Sequence, residues 1–271
     1  MRAIFNFILA IGFSFLTPSI FFCQASKLDK VIDSKNLNSV YPYWCYEPTN
    51  YNLDTSYNWP IIIFLHGRSL SGTNLERLKR YGVIAEIEKG RSFPAIIIAP
   101  QVSNGLSWDP IKIMNCIESV KKTHRIDTTK ISITGMSLGA YGVISTIAKF
   151  PHSFSAAASF CGGGDIKLAK NLTETPLWIA HGESDLLVPF SQSLQLVEAI
   201  AKWGSQNYIF TAYENYGHGS LERIFRTDFL YDFLLSNALG TKPYLPDILF
   251  NKLNIDIYMN NQIKDIELLS E

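Results

Sequence analysis

Residues 130–143 read Lys-Ile-Ser-Ile-Thr-Gly-Met-Ser-Leu-Gly-Ala-Tyr-Gly-Val. A β-branched run, Ile131 to Thr134, leads into Gly135-Met136-Ser137-Leu138-Gly139, and small residues lead out of it. That order predicts strand, sharp turn, helix. A turn tight enough to lift a serine hydroxyl clear of a sheet forces its central residue into strained geometry. Large neighbouring side chains would collide there, and glycines two before and two after remove the collision. The pentapeptide alone also fits a glycine-rich turn with a solvated serine, so the decision lies in what flanks it.

Outward from the turn, the chain alternates between apolar runs and helical patterns. Residues 60–65, 95–100, 130–134, 154–160, 177–180 and 208–213 read as strands, the first two as continuous apolar runs of the kind buried on both faces of a parallel sheet. Residues 74–89, 110–122, 139–150, 191–203 and 221–235 have helical spacing. Strand alternating with helix predicts an α/β fold, a mostly parallel doubly wound sheet with helices on both faces. Residues 26–39 read as a polar, partly helical leader. The aromatic stretch 40–59 suits β-hairpins with 50–58 as the connecting loop. Its aromatics suit packing at a sheet edge, or stacking on carbohydrate.

The chain has 271 residues, with 24 basic against 24 acidic side chains, which leaves no electrostatic case for nucleic acid. Residues 1–25 begin with a single charge at Arg2, continue as an apolar body from Ala3 to Leu16 and close on Cys23-Gln24-Ala25, the pattern of a signal peptide cleaved after Ala25. This predicts an exported protein, periplasmic or secreted, with no stable membrane insertion after cleavage. Cys23 as a lipidated first residue is the competing reading, weakened by the bulky Phe21-Phe22 before it. An uncleaved anchor competes too, but the apolar run is short for a span of about 20 residues. Residues 26–271 then form a single domain, of which 238–271, broken by Gly240, Pro243 and Pro246, is a C-terminal extension. Cys45, Cys116 and Cys161 are odd in number, show no C-x-x-C spacing and belong to a chain long enough to bury its own core, so they read as mostly buried thiols, with a link from Cys45 to a second cysteine left open.

A serine hydroxyl is a poor nucleophile until a base takes its proton, and the base must be held in one tautomer by an acid. Candidates for both follow strands. His181-Gly182-Glu183-Ser184-Asp185 comes after residues 177–180, and Gly217-His218-Gly219 after 208–213. Loops at the carboxyl ends of parallel strands gather at one edge of a sheet, so Ser137, Asp185 and His218 are predicted to converge.

With His66-Gly67 after the first strand, the elbow at Ser137, His-Gly-x-x-Asp-x-x-Val-Pro over 181–189 and Gly217-His218-Gly219, the chain resembles the α/β-hydrolase superfamily. Within it, the chain resembles exported esterases of the polyhydroxybutyrate-depolymerase, feruloyl-esterase and prolyl-oligopeptidase-like branch, over residues 60–235. The resemblance implies Ser137 as nucleophile, His218 as base and then acid, Asp185 as orienting carboxylate, and an oxyanion hole from the backbone N–H groups of Leu138 and Arg68. Ser69 is the alternative to Arg68. It further implies hydrolysis of a small-molecule or polysaccharide-linked carboxylic ester through an acyl-enzyme. A peptidase and a non-catalytic binding protein are the alternatives.

Rivals exist for several roles. Asp165, after Gly162-Gly163-Gly164, is the second candidate acid, and Glu183 lies two residues early for the family pattern. His66 and His181 read as structural residues bonding loop backbone. His124 and His152 lie in surface-like contexts. Trp108 is expected either to line the substrate pocket or to pack the core. No motif calls for a catalytic metal or a cofactor, and the glycine run lacks the Lys-Ser/Thr of a phosphate loop.

Overall fold

A computed structural model describes residues 26–33 and 36–246. The proposed signal segment and residues 247–271 of the extension lie outside the described residues. Six strands run parallel: β3 (Trp59–Leu65), β4 (Ile96–Pro100), β5 (Ile126–Met136), β6 (Ala156–Phe160), β7 (Leu177–Gly182) and β8 (Tyr208–Tyr213). β1 (Lys27–Val31) and β2 (Tyr43–Glu47) add an antiparallel flank, so the order across the sheet is β1-β2-β4-β3-β5-β6-β7-β8.

The two faces are legible in β3. Ile61, Ile63 and Leu65 point into one core with α2 (Pro110–Lys121), α3 (Leu138–Lys149) and α4 (Ser191–Ala201). Ile62 and Phe64 point into the other with α1 (Val83–Glu88) and α5 (Asp228–Ser236). All five side chains are fully buried. Alternation along a strand covered on both sides leaves no polar position, which is why the sequence shows continuous apolar runs there.

Three expectations need correction. The leader is no helix: residues 27–31 pair with β2 as an edge strand, and their charged side chains suit an edge that must not recruit another strand. The aromatic stretch does not fold back on β3 as a hairpin, because β2 pairs with β1 and β4 instead. The helices expected over 74–89 and 221–235 are each divided. A 3₁₀ turn, Leu75–Arg80, gives way to α1 at Gly82, whose φ of 78° no helix continues. A second, His218–Arg226, gives way to α5 at an extended Thr227.

Cys45, Cys116 and Cys161 are all buried and free, so Cys45 has no cysteine partner among the described residues; its sulfur lies 3.8 Å from His124 Nε2. No described helix is long and apolar enough to cross a membrane.

Candidate active site

β5 ends at Met136 and α3 begins at Leu138, leaving Ser137 alone between them with φ 58° and ψ −121°. A non-glycine residue at positive φ carries strain of order 1–3 kcal/mol that the surroundings must hold in place. The glycines show how. A Cβ on Gly139 would sit 1.9 Å from the Leu65 carbonyl oxygen, and one on Gly135 2.6 Å from the Gly139 oxygen. Strand β3 is pressed against the turn, so only glycine fits on either side of the serine. The Ser137 N–H is taken by the Phe160 carbonyl at 2.8 Å.

His66-Gly67 ends β3 beside this turn. A Cβ on Gly67 would lie 3.3 Å from Ser137 Cβ. Arg68 opens a 3₁₀ turn, Arg68–Leu70, just as Leu138 opens α3. First-turn amides have no intrahelical acceptor, so both N–H groups are free of ladder bonding, and they belong to the two segments that meet at the serine. His66 is structural, as expected. Its Nε2 accepts the Val102 N–H at 3.2 Å and its Nδ1–H donates to the Gly67 carbonyl at 2.8 Å. Burial holds it neutral, with its pKa lowered to about 4.

Asp185 lies in the loop after β7 with its side chain fully buried. Its Oδ1 accepts the N–H groups of Leu187 and Val188, both at 2.9 Å. Its Oδ2 accepts His218 Nδ1–H at 2.6 Å. Burial alone would raise this carboxyl, but the bonds from Val188, His218 and Leu187 outweigh it and the pKa falls below the ordinary value. The acid therefore stays ionised and accepts the Nδ1–H of His218.

Ser137 and His218 line a single cavity of about 360 Å³, with Gly67, Arg68, Ser69, Tyr81, Met136, Leu187 and Glu222 around them. A second hollow of about 410 Å³ opens on the other side of Arg68, lined by Trp108, Leu138, Tyr141, Ser145 and Asp165 among others. Trp108 packs in the core, 6% exposed and edge-on to Tyr41 and His66, and it also lines this second hollow.

The rival acid does not reach the histidine. Asp165 caps the 3₁₀ turn Ile166–Thr173, its carboxylate accepting the Lys167 N–H at 3.0 Å. His181, expected to bond only loop backbone, does bond the Val188 carbonyl at 3.0 Å, but its Nε2 also lies 3.2 Å from Asp185 Oδ2. Among the described residues, Cys161, His181 and Asp185 bring three metal-type donors within 4.8 Å of one another. They do not suit an ion. Asp185 Oδ2 and His181 Nε2 are already hydrogen-bonded, and burial, followed by the charge of Asp185, pushes the thiol up to about 12, far from a thiolate.

Comparison with known proteins agrees with this fold. Residues 98–228 match the dienelactone hydrolase family. The chain is 30% identical over 105 residues to an acyl-protein thioesterase 1 of Debaryomyces hansenii, an alignment covering 36% of this chain and 45% of that protein. It is 21% identical over 142 residues to a bifunctional acetylxylan esterase/xylanase of Neocallimastix patriciarum, covering 50% of this chain and 20% of the relative. These matches thus span less than half the length of either relative. Among solved structures, a thermostable esterase superposes with a TM-score of 0.67 at 25% identity, covering 79% of this chain and 63% of that one.

Proposed function

The chain has the α/β-hydrolase fold and matches the dienelactone hydrolase family over residues 98–228, and from that premise we propose that it is a serine hydrolase of carboxylic esters acting through an acyl-enzyme. The observation that carries the reading is the 2.6 Å bond from His218 Nδ1 to a buried Asp185, with Ser137 held at positive φ on the same cavity. With Nδ1 occupied, Nε2 is the nitrogen left to take the proton from Ser137 Oγ as that oxygen bonds to the ester carbonyl carbon. Charge moves to the carbonyl oxygen, facing the amides of Leu138 and Arg68. Losing one such donor typically costs roughly 3 to 4 kcal/mol of transition-state stabilisation. His218 then returns the proton to the departing alcohol. Water repeats the sequence on the acyl-enzyme, with His218 taking its proton and Ser137 regaining one.

An ester has two arms, and two hollows share Arg68 as a wall. Met136, Tyr81 and Leu187 around Ser137 suit a short or medium acyl group. Tyr141, Ser145 and Asp165 beyond Arg68 suit a hydroxyl-rich alcohol such as a sugar. The substrate we infer is accordingly a small or carbohydrate-linked acyl ester, and residues 1–25 are read as an export signal that places the enzyme outside the cytoplasm.

A screen of nitrophenyl esters of increasing acyl length, one feruloyl ester, an acetylated sugar and a proline-containing peptide tests the reading. Short esters and the acetylated sugar should be hydrolysed by the wild type and by Ser137→Ala at less than about a thousandth of that rate. Wild-type turnover by Ser137→Ala, or cleavage of the peptide alone, overturns it. N-terminal sequencing of the exported protein should begin at Ser26.

A further inference from the structure

Asp185 has a second imidazole on it. His181 is fully buried at the end of β7, and its Nε2 lies 3.2 Å from Oδ2, the oxygen that His218 also uses. The tautomer follows from its neighbours. Nε2 faces two acceptors, Oδ2 and the Val188 carbonyl, so it carries the hydrogen. In the neutral ring Nδ1 is then bare, and the Ser193 hydroxyl, 2.6 Å away, donates into it. The same hydroxyl lies 2.8 Å from the Gly162 carbonyl, so turning it there would let Nδ1–H donate as well. Both oxygens of the carboxylate are thereby engaged: Oδ1 accepts two amides, and Oδ2 accepts His218 Nδ1–H with His181 Nε2 3.2 Å away and the Cys161 thiol beside them.

We propose that His181 is a positioning residue for catalysis, locking the rotation of Asp185 and moderating its pull on the proton of His218 through their shared oxygen. The proposal rests on the reading of Asp185 and His218 as acid and base. A donor on a carboxylate withdraws charge from it, so the carboxylate stabilises a facing imidazolium less. Removing that donor strengthens the pull, and the acid limb of kcat/KM moves to higher pH. It also frees Asp185 to turn about its side-chain bonds, which lowers kcat while leaving substrate contacts alone.

Other titratable groups face this cluster. Cys161 comes from the end of β6, and its thiol, pushed up by burial, stays neutral. Tyr141 comes from α3, its phenol raised first by burial and then by the charge of Asp185. Glu222, in the cavity beside His218, is paired with Arg226. The thiol and the phenol are neutral and the carboxylate is paired through the acid limb, so a shift of that limb reports on His181.

The test is p-nitrophenyl acetate hydrolysis from about pH 5 to pH 8 by His181→Phe, His181→Asn and His181→Gln. Gln carries its amide nitrogen to the position of Nε2, whereas Asn reaches only the position of Nδ1 and can still meet Ser193. Phe and Asn should move the acid limb up by roughly half to one pH unit and lower kcat roughly tenfold to a hundredfold. KM should stay within about twofold, and Gln should restore the limb to its wild-type position. An unmoved limb in a folded Phe or Asn variant overturns the proposal, as does a Gln variant shifted as far as Phe. If only Gln folds, or none does, His181 is a folding residue and the proposal is equally overturned. Retained turnover in Ser137→Ala marks failure of the esterase reading instead. An inactive Ser137→Ala with an unmoved limb marks failure of this inference alone.

Discussion

Asp185 is the residue on which geometry bears hardest, because it does two things with one carboxylate. Its Oδ1 binds the amides of residues 187 and 188, which fixes the loop, and its Oδ2 binds His218. Asp185→Asn separates the two. The amide oxygen can keep both backbone bonds, but the NH₂ group then faces His218 Nδ1 and favours the tautomer whose Nε2 is already protonated. We expect kcat to fall by about four orders of magnitude with the melting temperature lowered only by the few degrees that losing the carboxylate's charge costs, checked by steady-state kinetics beside thermal unfolding. A matching loss of stability would instead make Asp185 a loop anchor first. That Ser137, Asp185 and His218 gather at one edge was legible in the sequence, because each follows a strand of a parallel sheet and such strands deliver their ends to one edge. The contact between His181 and Asp185 was not. Four residues apart, they meet only because Asp185 turns the loop by binding the amides of Leu187 and Val188, and no periodicity encodes that turn.

At the level of elements, the site depends on how closely β3 approaches the β5–α3 turn. Gly139→Ala places a methyl 1.9 Å from the Leu65 carbonyl oxygen, where only backbone movement relieves it. We expect a loss of roughly 3 to 5 kcal/mol, seen as a melting temperature lower by about 10 °C. Gly105→Ala is the contrasting case. Its φ is 76°, but a Cβ there meets nothing within 4 Å, so only backbone strain of about 1 kcal/mol is expected. Equal melting temperatures for the two variants would contradict the close-packed turn. The strands and α2, α3 and α4 were readable to within a few residues because their apolar periodicity is uninterrupted. The divided helices were not: the pattern over 74–89 stays helical through Gly82, but the chain turns extended at Tyr81 and left-handed at Gly82, where the ring of Phe64, 2.2 Å from where a Cβ would sit, leaves room only for glycine. β1 was misread because an edge strand with charged side chains carries little apolar alternation.

For the molecule as a whole, burial of neutral histidines ties stability to pH. His66 titrates near 4 in the folded chain, against about 6.5 for an ordinary histidine, and burial lowers His181 in the same direction. Between those values the unfolded chain binds more protons, so stability rises with pH and is lost as pH falls from about 6.5 toward 4. His66 alone contributes roughly 3 kcal/mol of that slope. Asp185, lowered as well, adds a further loss as pH falls through its folded value. Urea midpoints at several pH values should fall through this window, and His66→Gln should flatten the fall; an unchanged slope in that variant would assign the acid sensitivity elsewhere.

Both cores, the parallel sheet and the close approach of β3 serve to present one hydroxyl at the sheet edge, and that is the central claim. It is tested most directly by treating the protein with a fluorophosphonate and mapping the adduct by peptide mass spectrometry. A single modification, on Ser137, is expected. No adduct, or an adduct on another residue with Ser137 unmodified, would contradict it.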